Sequence, residues 1–64
     1  MRGAAVAELE YKVVETSRVT DEELERILNE VLPKGWVLDG IRFAMHESSK
    51  RPTMAFLLFT RSSD

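Results

Sequence analysis

The chain has 64 residues and a formal net charge of −2, room for one domain that buries only about 60% of its unfolded surface and so needs support beyond its own core. It has no cysteine and one histidine, which excludes disulfides and thiolate zinc sites and leaves oligomerisation as the available support. Residues 1–32 carry four basic against eight acidic side chains and residues 33–64 five against three, a split too mild for a polyanion-binding domain.

Residues 1–7 read as a flexible N-terminal leader, residues 8–61 as a single α+β domain and residues 62–64 as a loose C-terminus. The leader holds only four consecutive apolar residues, Ala4 to Ala7. A signal sequence needs roughly 7–15 and a membrane span about 18 or more. The expectation is a soluble cytoplasmic protein with no membrane attachment.

Residues 9–15 alternate apolar and polar side chains, and Tyr11, Val13 and Val14 favour strand. Leu9, Tyr11 and Val13 share one face, expected to join the core. Glu10, Lys12 and Val14 share the other. Thr16, Ser17 and Arg18 form a connector. Thr20 then opens a helix. Thr20 and Glu23 have the spacing of a capping box, and Val19 and Leu24 that of a hydrophobic staple. Asp21, Glu22 and Glu23 place negative charge at the positive end of the helix dipole. Leu24, Ile27, Leu28, Val31 and Leu32 make one apolar stripe of period near 3.6. Glu22 and Arg26 stand at the i,i+4 spacing that favours an ion pair.

Pro33 disfavours helical geometry at Leu32, so the helix is expected to end there. Gly35 can reverse the chain in a left-handed conformation. A second strand is predicted over residues 36–45, interrupted by Asp39 and Gly40. A bulge or bend there is preferred to a hairpin turn, which would leave residues 36–38 too short to pair. Residues 46–52 read as a polar hairpin loop. Residues 53–61 form the third strand, whose run Met54, Ala55, Phe56, Leu57, Leu58, Phe59 is apolar on both faces. Arg51, Pro52 and Arg61 flank that run as charged or proline guards against aggregation.

The element order is thus β-α-β-β. A crossover through the helix sets strand 1 parallel to strand 2, and the hairpin sets strand 3 antiparallel to strand 2. The most apolar strand belongs in the centre, because a long apolar edge invites aggregation. The fold class is therefore α+β, a three-stranded antiparallel sheet of order 1-3-2 with one helix packed on one face. One helix leaves the other face uncovered.

The residues Tyr11-Lys12-Val13-Val14, then Leu28-Asn29-Glu30 in an acidic helix, then Gly35-Trp36 and an apolar strand ending at Arg61 resemble a small bacterial family. Its pattern is Y-K-V-V, L-N-E-L, G-W-E-L, and it bears only a domain-of-unknown-function label. The likeness spans about residues 9–61. Val37 stands where the pattern has Glu, and Pro33 where a helix former or Gly is usual. The resemblance implies β-α-β-β and brings no catalytic residues with it.

No residue set identifies a reaction. His46, Glu47, Ser48 and Ser49 are neighbours on a loop, without the fixed nucleophile–base geometry of a triad. Two ligands, His46 and Glu47, fall short of a zinc site. Lys50, Arg51, Arg42 and Arg61 near Phe43 and Phe59 could form a platform for single-stranded bases, but the acidic balance opposes nucleic-acid binding. Glu8, Glu10 and Glu15, and the acids from Asp21 to Glu25, read as solvated. Trp36 reads as a core or interface anchor. The expectation is a non-enzymatic homodimer or higher homo-oligomer with no cofactor and no metal, a partner protein being the alternative. A small-ligand site at the seam between subunits is a further alternative. Interface candidates are Val14, Trp36, Leu57, Leu58 and Phe59, rimmed by Lys12 and Arg61.

Overall fold

The computed structural model describes residues 8–45, 47, 48 and 50–62. Its elements are β1 (Leu9–Thr16), α1 (Asp21–Val31), β2 (Val37–Met45) and β3 (Pro52–Ser62), with a 3-10 turn at Leu32–Lys34 after α1. The strands form one sheet of order β1-β3-β2, and both outer strands run antiparallel to β3. β1 and β2 are therefore parallel, as a helical crossover between them requires. The fold class is the expected one.

Local chemistry accounts for the helix ends. Thr20 takes an extended conformation, and its hydroxyl accepts from the Glu23 N–H at 3.1 Å. The Leu24 N–H donates to the Thr20 carbonyl at 3.0 Å. Val19 and Leu24, the staple pair, both pack against the core. Glu23 turns its carboxylate to Arg26, with Nη2 of Arg26 at 2.7 Å. The expected Glu22–Arg26 pair is thus replaced by Glu23–Arg26, supplemented by Glu30 at 3.4 Å. Arg26 can reach one carboxylate with its whole fork, and the i,i+3 neighbour sits in line with it. At the other end Pro33 tightens the chain into the 3-10 turn. Gly35 closes it at φ 95, its N–H donating to the Leu32 carbonyl at 3.1 Å.

The sheet core is carried by β3. Ala55, Leu57 and Phe59 have no exposed surface and meet Ile27 and Val31 of α1. Leu24 and Leu28 of the helix, with Leu38 and Ile41 of β2, pack around them. Leu32, the last residue of the apolar stripe, is exposed. The register of β2 shifts between Leu38 and Gly40, which makes Asp39 the extra residue of a bulge. β3 begins at Pro52, a position where a strand needs no N–H donor, and its pairing extends through Ser62, opposite Leu9. Ser62 therefore belongs to the sheet and not to a loose tail. The leader, residues 1–7, and residues 63–64 lie outside the described residues.

One expectation is overturned. Leu9, Tyr11 and Val13 do not join the core. In β1 the residues opposite Ala55, Leu57 and Phe59 are Thr16, Val14 and Lys12, and cross-strand partners share a face. The helix side of β1 therefore carries Val14, and Leu9, Tyr11 and Val13 point away from α1. Alternation divides a strand into two faces without saying which one is covered, and a slip of one residue exchanges them. Here the register to β3 decides, because its buried Ala55, Leu57 and Phe59 fix the covered side.

Candidate functional site

The side of the sheet opposite α1 is open. On β3 it presents Met54, Phe56, Leu58 and Thr60, which alternate with the buried residues and are partly covered by their neighbours. Along one side run Leu9, Tyr11 and Val13 of β1, and along the other Val37 of β2. These four are 51%, 69%, 59% and 63% exposed. The pairing arranges the face in rows across the sheet. Tyr11, Thr60 and Val37 make one row, Val13, Leu58 and Gly40 the next, and Glu15, Phe56 and Arg42 the one after. Ala44 and Met54 close the face towards the hairpin.

Charge on this face is sparse and placed at its margins. Glu15 and Arg42 stand on either side of Phe56, one on each edge strand. Neither side chain makes a hydrogen bond or ion pair with another described residue. The bulge residue Asp39 is exposed at the β2 margin. Gly40 opens the middle of that margin, since a Cβ built there meets no atom within 4 Å.

The five interface candidates divide between the two sides. Leu57 and Phe59 are wholly buried within the chain, and Val14 and Trp36 pack against the same core. Only Leu58 lies on the open face. The other four are committed to the helix side, Leu57 and Phe59 wholly buried and Val14 and Trp36 partly so. The proposed rim is corrected likewise. Lys12 registers with Phe59, and Arg61 with Glu10, both on the helix side. Leu9, Tyr11, Val13, Val37 and Phe56 are the residues of the face that sequence reasoning missed. Phe56 shares the parity of Leu58, which was a usable signal. The edge-strand residues needed the register.

The helix side carries its own polar cluster at the far end of the sheet. Arg61 holds the Glu10 carboxylate with Nη2 at 2.8 Å and Nε at 2.9 Å, and its guanidinium lies over the Trp36 ring. This separates Arg61 from Arg42, which faces the other way. Phe59 is buried, and Phe43 registers with Ala55 on the helix side. The arginine and aromatic residues considered for base stacking thus do not come together.

The acidic residues are similarly accounted for. The bidentate hydrogen bond from Arg26 holds the Glu23 carboxyl below the usual glutamate range, and the same contact raises the Arg26 pKa. Asp21 accepts from the Glu22 N–H at 2.9 Å. Of the loop residues weighed as a triad, His46 and Ser49 lie outside the described residues, and Glu47 and Ser48 are exposed in the turn. Among the described residues no group of three or more His, Cys, Asp or Glu side chains is placed to hold a metal ion, and no helix is long and apolar enough to cross a membrane. In comparisons with known proteins, no family model, no curated protein and no solved structure matches this chain.

Proposed function

We propose that the chain is a non-enzymatic interaction module that assembles with copies of itself through the open face of its sheet. The observation that carries this reading is the contiguous apolar surface of Leu9, Tyr11, Val13, Val37, Phe56 and Leu58 on the side that α1 leaves uncovered. Three strands about 4.8 Å apart and about eight residues long make a face of roughly 14 by 27 Å. Apolar patches of several hundred Å² mark interaction sites, and a domain this small gains support by covering one. Arg42 is balanced by Glu15 on the same face and by the exposed Asp39 at its margin, which gives a polyanion little to hold. The likeness of Tyr11–Val14 and Gly35-Trp36 to a bacterial family without catalytic residues belongs to the same reading. So does a reducing cytoplasm, to which a chain without cysteine is suited.

The test is light scattering of the purified chain at micromolar concentration, with circular dichroism as a check on folding. The expected result is a homodimer or higher oligomer, and a Leu58→Asp variant that is monomeric with its helix and strands retained. A wild-type chain that stays monomeric across that range overturns the reading and leaves the face to a different partner protein.

A further inference from the structure

We infer that the open face pairs with a second copy about a two-fold axis running along β3, so that Glu15 of each subunit meets Arg42 of the other. This rests on the self-assembly proposed above and specifies its geometry. Two sheets stacked face to face as an isologous dimer have their two-fold axis in the plane between them. For sheets packed in the aligned manner that axis lies close to the strand direction or close to its perpendicular. Across the strands, β1 lies over β1 of the partner and β2 over β2. An axis through the Phe56 row then sets Glu15 over Glu15 and Arg42 over Arg42. An axis through the Leu58 row sets Glu15 over Tyr11 and Arg42 over Val37. The first arrangement opposes like charges and the second buries charges against apolar groups, both of which are costly.

An axis along β3 exchanges the edges instead. β1 then covers β2 of the partner, row for row. Phe56 and Leu58 meet their own copies along the axis. Val13 comes over Gly40 of the partner, where the absence of a side chain leaves open space. Glu15 comes over Arg42 of the partner twice, by symmetry, and neither side chain has a hydrogen-bond or ion-pair partner among the described residues of its own chain. Sheets pack face to face about 10 Å apart, a gap that a glutamate and an arginine bridge from opposite sides. Aligned sheets cross at about 30°, which an axis about 15° from β3 produces. Asp39 stays at the margin, in water.

Charge exchange tests this arrangement. Glu15→Arg and Arg42→Glu are both exposed substitutions that leave the core intact, and thermal melts by circular dichroism confirm the fold of each. Analytical ultracentrifugation at low salt is expected to show each single variant dimerising about tenfold or more weakly than wild type, since two like-charge contacts replace two favourable ones. The double variant is expected to recover wild-type affinity. The decisive comparison is the weakening of each single variant relative to wild type, because an across-strand axis that sets Glu15 over Glu15 opposes like charges in wild type and variants alike. Its companion sample is an equimolar mixture of the two single variants. It is expected to form a heterodimer tighter than either homodimer, because both of its contacts then join opposite charges. If the mixture associates no better than its components while Leu58→Asp still abolishes assembly, the face is the interface but the two-fold axis is not along β3. A wild-type monomer removes the self-assembly reading and this one with it.

Discussion

The guanidinium carbon of Arg61 lies 4.1 Å from the centroid of the Trp36 ring. Trp36 directly precedes β2, Arg61 is near the end of β3, and the same arginine holds Glu10 of β1. One side chain thus links β1, β3 and the residue that leads into β2. Cation–π contacts at exposed sites are worth about 0.5–1 kcal/mol, and a half-exposed ion pair adds about 0.2–1 kcal/mol. Arg61→Ala is therefore expected to lower unfolding free energy by about 1 kcal/mol, read from the urea midpoint. Arg61→Lys keeps the charge but loses the planar stack and the fork, so its midpoint should fall between those of wild type and Arg61→Ala.

Leu57 and Leu58 are neighbours with opposite assignments. Leu57 has no exposed surface beneath α1, whereas Leu58 points to the open face. Truncating a buried leucine to alanine costs about 2–5 kcal/mol, and a core this small supplies only about 3–5. Leu57→Ala is expected to leave the chain largely unfolded at 25 °C by circular dichroism. Leu58→Ala should keep the spectrum and weaken self-association, measured by sedimentation. Equal loss of secondary structure in both variants would mean that the two faces are not distinct.

These two residues also mark what the sequence could and could not reveal. The helix was legible because Thr20, Glu23, Val19 and Leu24 each act within a few residues of one another. The central place of β3 was legible because Met54 to Phe59 is apolar throughout and an edge cannot carry such a run. The covered face of β1 was not legible. Leu9, Tyr11 and Val13 are more apolar than Lys12 and Val14, so composition favoured the wrong side. The outcome turned on which parity of β3 met the helix, and both parities of that strand are apolar. The same ambiguity misplaced Leu57, Phe59 and Val14 at the interface. A charge marker was present in Lys12, whose side registers with the buried Phe59, but its long stem lets it reach water from the sheet edge.

Gly35 is required by its backbone. Its φ of 95 lies in the left-handed region, while a Cβ there would meet only Arg61 Cδ, at 3.8 Å. Space is therefore available and conformation is the obstacle. Gly35→Ala is expected to destabilise the fold by about 1 kcal/mol or more, seen as a lower melting temperature without change in the folded spectrum. Gly40→Ala, where φ is not positive and no atom of the same chain is near, should leave the melting temperature unchanged or raise it when both chains are compared in the monomeric Leu58→Asp background. A Gly35→Ala variant as stable as wild type would contradict the need for a left-handed residue between α1 and β2.

The Glu23–Arg26 pair gives the helix a defined acid response. The hydrogen bond from Arg26 lowers the Glu23 pKa in the folded state. A carboxyl with a lowered folded pKa binds its proton more readily when unfolded, so stability falls as protons are added. The contribution is fully present above the ordinary glutamate pKa of about 4.3 and is lost as pH falls from there through the lowered folded value. Thermal melts from pH 6 down to pH 2 should show this decline in the wild-type chain. Glu23→Gln is expected to be less stable than wild type at pH 6, because Arg26 then lacks its charged partner. The two curves should converge at the acid end, where wild-type Glu23 is itself neutral. A constant separation between them across the whole range would assign the loss in Glu23→Gln to packing instead of to the ionised carboxylate.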